Sequence, residues 1–246
     1  MNAFTSNLSV DEHHAIRSVG FTPVGQVMGS CVYSFSQYAW YCDVRIREVK
    51  ALSEPGSEAR RLAVRRMRDD CAGLGGDGVV AVSLTVREFS AGGLEFVAIG
   101  TAVRADGPVR ARTPFVSGLT GQDFAKLVSA GWLPCGFVLG LAVVVRHDDH
   151  PVGLAGEDNG RTTLVEVARR TARKQLRADA ALCGGQGVVL RKARLRAWHQ
   201  ECRNPPKYGV REPQDCMVEA VLTGTAIVRF RTVDPPSPRL VLGLDV

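Results

Sequence analysis

Leu8-Ser-Val-Asp-Glu-His-His-Ala-Ile-Arg-Ser-Val-Gly-Phe-Thr-Pro-Val-Gly-Gln-Val-Met-Gly29 returns without a gap as Leu119–Gly140, at an offset of 111 residues. Ser18, Gly20, Pro23, Gly25 and Gly29 meet Ser129, Gly131, Pro134, Gly136 and Gly140. A second block follows at an offset of 109: Ala59-Arg-Arg-Leu-Ala63 meets Ala168-Arg-Arg-Thr-Ala172, and Gly75-Gly-Asp-Gly-Val-Val80 meets Gly184-Gly-Gln-Gly-Val-Val189. A third lies at an offset of 124, where Gly100-Thr-Ala102 meets Gly224-Thr-Ala226, with Glu95 and Glu219 upstream. Three blocks in one order define a tandem duplication. The jump in offset places a 15-residue insertion in the second copy, roughly His199–Gln214, or residues 199–214.

Each copy reads alike. Ser9-x-x-Glu12 and Thr120-x-x-Asp123 have the spacing of capping boxes and predict short opening helices, with Leu119 and Phe124 at staple positions. Strands are expected over Val24–Phe35 and Cys135–Val145. Amphipathic helices follow, with apolar stripes Ala59, Leu62, Ala63, Met67, Cys71, Leu74 and Leu164, Val167, Ala168, Ala172, Leu176, Ala180, Cys183. Gly75-Gly76 and Gly184-Gly185 stop these helices. Gly78–Phe89 with Leu94–Arg104, and Gly187–Trp198 with Cys216–Phe230, complete a β-α-β-β order, and Gly78, Gly100, Gly187 and Gly224 recur at matched strand positions. The predicted class is α+β, two tandem modules over residues 1–110 and 119–231. A linker spans 111–118, within the Pro-containing stretch Ala105–Gly118. A tail over 232–246 carries Pro235, Pro236, Pro238 and the apolar Leu240–Leu244.

The residues of the first copy resemble the YbjQ family, also labelled a heavy-metal-binding domain. The resemblance is carried by Ser57-Glu-Ala-Arg-Arg-Leu-Ala-Val-Arg-Arg-Met-Arg68, Leu74-Gly-Gly-Asp-Gly-Val-Val80 and Glu95-Phe-Val-Ala-Ile-Gly-Thr-Ala-Val103. The second copy is a diverged version, with Gln186 where the first has Asp77. The resemblance implies a dodecin-like fold and ring-shaped oligomers, often five-fold, and no established activity.

Composition sets the outer bounds. The 246 residues are 45% hydrophobic and 23% charged, ordinary globular values. No apolar run reaches the roughly 18–20 residues of a membrane helix, and no secretory pattern opens the chain, so a cytoplasmic location is expected. Seven cysteines without a CxxC read as free thiols. In the alignment Cys31, Cys71, Cys135 and Cys183 each face a small or apolar residue of the other copy, as buried cysteines would. Cys42, Cys202 and Cys216 lie outside the good alignment and stay open.

Candidate sites are few. GxxxxGK[ST], GxSxG and HExxH are missing, and Gly73–Gly78 leaves a helix for a strand, the reverse of a phosphate loop; no catalysis is expected. His147-Asp148-Asp149-His150 is the best local metal cluster, ahead of His13-His14 and His199-x-x-Cys202, with a solvated polar loop as its ordinary reading. The net charge of +6 falls mainly in the second copy. There Lys192, Arg194 and Arg196 share a strand face with Trp198, and Arg169, Arg170, Arg173, Lys174 and Arg177 crowd a helix. These fit polyanion or nucleic-acid binding; the ordinary reading is a wet helix face. A three-stranded unit with open edges is marginal alone, and Phe137–Val145 does not alternate, so it should be buried on both faces. The favoured function is a non-catalytic oligomeric scaffold or binding protein. Its main partner is itself, and the tail offers a strand to another protein. A metal or small-ligand module is the alternative, with no other cofactor; nucleic acid is the least favoured partner.

Overall fold

Ser9 accepts a hydrogen bond from the Glu12 N–H, and the Glu12 carboxylate accepts one from the Ser9 N–H. This capping box opens α1 (Val10–Ser18) in a computed structural model that describes residues 5–35, 45–90, 92–108, 110–148, 157–202 and 214–232. Strand β1 (Phe21–Tyr33) follows, then the two-residue β2 (Arg47–Glu48), helix α2 (Lys50–Gly73), β3 (Gly78–Glu88) and β4 (Leu94–Ala105). The expected linker is not all loop: it contains β5 (Phe115–Val116). The second module repeats the plan with α3 (Gly121–Ser129), β6 (Trp132–Asp148), α4 (Asn159–Leu182), β7 (Gly187–Glu201) and β8 (Gln214–Arg229). The predicted β-α-β-β order holds in both modules.

The two sheets run β1-β4-β3-β5 and β2-β6-β8-β7. The middle strand of each module is its last, β4 or β8, paired antiparallel on both sides. Each sheet takes its fourth strand from outside the β-α-β-β unit. The leader of module 2, β5, runs parallel to β3, and β2 of module 1 pairs with β6.

The helices bury the stripes read from sequence. Ala59, Ala63, Met67 and Cys71 of α2 pack on Val27, Phe96, Ala98 and Ala102; Leu164, Ala168, Ala172 and Leu176 of α4 pack on Val138, Ala142, Val218 and Ala226. The approach is close because Gly29 and Gly140 face the helices: a Cβ there would overlap the carbonyls of Ala63 and Ala172. Gly75 and Gly184 both end their helices at φ +69°, the left-handed turn that glycine adopts freely. A third core joins the modules through α1 and α3, where Phe21, Phe115 and Phe124 cluster with centroids 5.1–6.1 Å apart. The stripes and the cysteine reading fail at the rim: Leu74 and its equivalent Cys183 are exposed and Cys135 is half-buried, because Leu74 and Cys183 are the C-caps of α2 and α4, past the last turns that the sheets cover.

The copies agree in fine detail. The Asn7 N–H donates to Thr101 Oγ1 and the Gly118 N–H to Thr225 Oγ1; Ser6 and Ser117 lie against the same two hydroxyls. Met28 N–H donates to Asp70 and Leu139 N–H to Asp179. These pairs fall on the sequence offsets.

Candidate functional site

Module 1 lays α2 over the outer face of β6 and pairs β2 with its edge. Ser53 donates a hydrogen bond to the carbonyl of Val49 at the start of α2 and accepts one from the Val143 N–H. Arg60 bridges to Glu219 at 3.5 Å, Arg61 to Asp179 at 3.1 Å, and Gln175 Nε2 donates to Glu48 at 3.2 Å. Val49, Leu141, Val143, Val145 and Met217 form the apolar part of this face, which is why the Phe137–Val145 run does not alternate. The leader of module 2 meanwhile caps β3: Ala81 N–H donates to Leu119 O, and Val82 N–H to Ser117 O. Ala81 sits at a register shift in β3 with φ +53°, and its bulge turns these two N–H groups toward the leader.

The joint is heterologous: module 1 presents one surface and module 2 a different one. Among the described residues the equivalents of both surfaces are bare. Met28 and Val32 of β1 are 56% and 47% exposed, whereas their equivalents Leu139 and Val143 are 2% and 3% exposed. On module 2, Arg169 and Arg170 are exposed where Arg60 and Arg61 reach across the joint. Between α4 and β7 lies a cavity of about 540 Å³ lined by Leu176, Ala180, Val188, Leu190 and Leu222. In module 1, Val116 and Phe137 pack against the matching core. Strand β7 is exposed along most of its length, and among the described residues its outer edge pairs with no strand.

The two ion pairs of the joint are preserved on the bare surfaces, and its Glu48–Gln175 contact is matched there by a Glu and an Arg. The offsets carry Arg60, Arg61 and Glu48 to Arg169, Arg170 and Glu157, and carry Glu219, Asp179 and Gln175 back to Glu95, Asp70 and Arg66. Each cation or anion on one bare surface therefore has an opposite charge waiting on the other.

A second feature lies at the far end of the second sheet. Strands β6, β7 and β8 run about four residues beyond the ends of their equivalents β1, β3 and β4. The insertion read from sequence is thus partly strand; residues 203–213 within it lie outside the described residues. On this extension His147 and Asp215 are cross-strand partners, with Nδ1 and Oδ1 3.2 Å apart. Cys202 follows β7, and the three donor atoms lie within 4.8 Å of one another. All three side chains are buried, Asp215 completely. His147 is therefore a buried strand residue rather than part of a polar loop, and Asp215 of β8 and Cys202, just after β7, stand beside it. Asp149 and His150 lie outside the described residues, as do Cys42 and the tail from residue 233. Asp148 ends β6 in the backbone only. Local spacing could not find Asp215; the alignment marked Cys202 only by leaving it unmatched.

The basic residues divide. Lys192 and Arg194 join Arg60 and Arg191 around a groove of about 360 Å³ between β3 and β7. Arg196 stacks on Trp198 at 5.4 Å. Arg173 borders the α4–β7 cavity; Lys174 is exposed on α4 and lines neither cavity. No helix among the described residues is long and apolar enough to cross a membrane.

Comparison with known proteins places these features in context. Residues 9–106 match the family model YbjQ_1, described as "Putative heavy-metal-binding". Encapsulin nanocompartment protein Rv1762c of Mycobacterium tuberculosis is 32% identical over 99% of this chain and 92% of its own length. A UPF0145 protein of Halalkalibacterium halodurans is 36% identical over 41% of this chain and 92% of its own. One from Vibrio campbellii is 40% identical over 23% of this chain and 55% of its own. No solved structure matches.

Proposed function

This chain belongs to the YbjQ family, in duplicated form, and from that premise we propose that it acts as a scaffold by assembling head to tail with copies of itself. Module 2 of one copy lays α4 and β7 on the outer face of β1 of the next, repeating the joint inside the chain. A heterologous contact of this kind closes into rings or continues as an open array.

The observation that carries the reading is the preserved charge pattern. Repeating the joint brings Arg169 to Glu95, Arg170 to Asp70 and Glu157 to Arg66 of the neighbour. Each pair is worth little alone at a surface, but together they set register and exclude wrong partners. Met28 and Val32 supply apolar area, and β7 offers its free edge to the neighbour's leader, Thr5–Leu8, as β3 does to Val116–Leu119. The name of the mycobacterial relative, an encapsulin nanocompartment protein, favours assembly as well.

Native mass spectrometry of the full chain tests this. The wild type should run as one multi-chain species. Arg169→Glu should fall to smaller species, and adding Glu95→Arg should restore the size. If Arg169→Glu keeps the wild-type assembly, the repeated joint is the wrong interface.

A second reading, anion binding, is favoured by the cations of the β3–β7 groove. Burial lowers the pKa of Arg60; Glu219 opposes this and Arg194 adds to it. An anion would relieve that crowding. Binding of a single-stranded oligonucleotide that falls steeply with salt and is lost in Arg194→Glu would favour it; affinity unchanged by that substitution would remove it.

A further inference from the structure

We infer that His147, Cys202 and Asp215 form a site for one transition-metal ion of the zinc class. The site lies outside residues 9–106, the span that matches the family model, so it belongs to what the second copy has added.

Position is the first argument. The three side chains arrive from β6, from β8 and from the residue just after β7, and the pleat puts them on one face. His147 is opposite Asp215, and Gln200 is opposite Asp215 on its other side. Alternation along β7 carries Trp198, Gln200 and then Cys202 on that face. It is the face of Val143, Val145 and Met217, the core of the module joint. In the first copy the shorter strands leave no equivalent: the sequence offsets carry His147, Cys202 and Asp215 to Ser36, Gly93 and Ala91.

The donor set is the second. An imidazole, a thiol and a carboxylate in one place select a borderline metal; calcium and magnesium take oxygen ligands throughout. Ligand bonds of about 2.0–2.2 Å to nitrogen and oxygen put two such donors roughly 3.3 Å apart around a tetrahedral ion. His147 Nδ1 and Asp215 Oδ1 already stand at 3.2 Å. The thiol must close by under about 1.5 Å, a side-chain rotation rather than a backbone movement.

Charge is the third. Once bound to an ion, a neutral imidazole, a carboxylate and a thiolate carry two negative charges. A dication balances them. Binding releases the Cys202 thiol proton to solvent and leaves one tetrahedral position for water or another ligand. An ion here ties β6, β7 and β8 together at the edge of the module joint.

The test uses the full chain, stripped with chelator and titrated with Co²⁺ and Zn²⁺. We expect one Co²⁺ per chain, with a sulfur-to-cobalt charge-transfer band. Cys202→Ser should abolish that band and weaken binding at least tenfold, about 1.4 kcal/mol. Binding well below one per chain, or one-to-one binding with band and affinity unchanged in Cys202→Ser, overturns the proposal; the latter marks an adventitious ion elsewhere. Should the variant not fold, alkylation of Cys202 in the wild type, followed by peptide mass spectrometry, decides. Zn²⁺ should slow its labelling at least tenfold, and unchanged labelling overturns the site. The readouts are counted per chain, so they stand or fall separately from assembly.

Discussion

Arg60 reaches from α2 to Glu219 of β8 across the module joint, 3.5 Å between Nη2 and Oε1. It also donates to the carbonyl of Gly56 and lies 5.2 Å from the centre of the Phe96 ring. This cation is almost fully buried, and its removal strands Glu219. Arg60→Ala should cost about 3 kcal/mol, read as a lower urea midpoint for both modules together. Two separate transitions, with only one shifted, would show that the joint does not couple the modules.

Equivalent positions should respond oppositely to the same change. Met28→Asp places a charge on the bare face of β1 and should leave unfolding within about 0.5 kcal/mol of wild type while reducing the assembled species. Leu139→Asp buries that charge in the joint and should cost about 4 kcal/mol. Size-exclusion chromatography with urea denaturation separates the two. Equal loss of stability in both variants would mean that the β1 face is not free.

Asp77 should make module 1 acid-sensitive. Burial raises its pKa, but the N–H groups of Ala105 and Ala111 and the Arg110 guanidinium more than offset this and hold the carboxyl below its usual value. A depressed carboxylate adds stability above its unfolded pKa of about 4, lost as the pH falls through the lower folded value. Asp77→Asn should cost about 1–2 kcal/mol at neutral pH and progressively less as the pH falls below about 4. In module 2, Gln186 accepts the matching N–H, from Arg229, so Gln186→Leu should give a loss independent of acid.

Helix-to-sheet distance rests on two glycines. An alanine Cβ at Gly140 would strike Ala172 O and come within 2.9 Å of the Leu176 N. Backbone cannot swing aside as a side chain can. Gly29→Ala and Gly140→Ala should each cost about 3 kcal/mol, measured by thermal unfolding. A loss below about 0.5 kcal/mol would mean that the helices lift freely.

The duplication was legible because the same physics is imposed twice. Gly75 and Gly184, Thr101 and Thr225, and Asp70 and Asp179 do the same work in each module, and the offsets found them. The β5 strand was hidden in a two-residue stretch, Phe115–Val116, too short for a period. Asp215 was hidden because its partner His147 lies 68 residues away, set by register rather than spacing. Cys183 and Leu74 do not share the burial of their stripes because helical spacing and alignment report residue type, whereas exposure depends on where the helix ends, and both are C-caps.

Strand β5 has a consequence beyond pairing with β3. It makes one joint of every chain covalent, so module 1 always meets its module 2 at an effective concentration no dilution can lower. Any array of these chains then alternates tethered hinges with breakable ones. Dissociation stops at the pair, and a closed ring holds an even number of modules. Five-fold symmetry, if adopted, would require ten. Selection can loosen the breakable hinge, and so set when the array comes apart, without touching the one that keeps the chain folded.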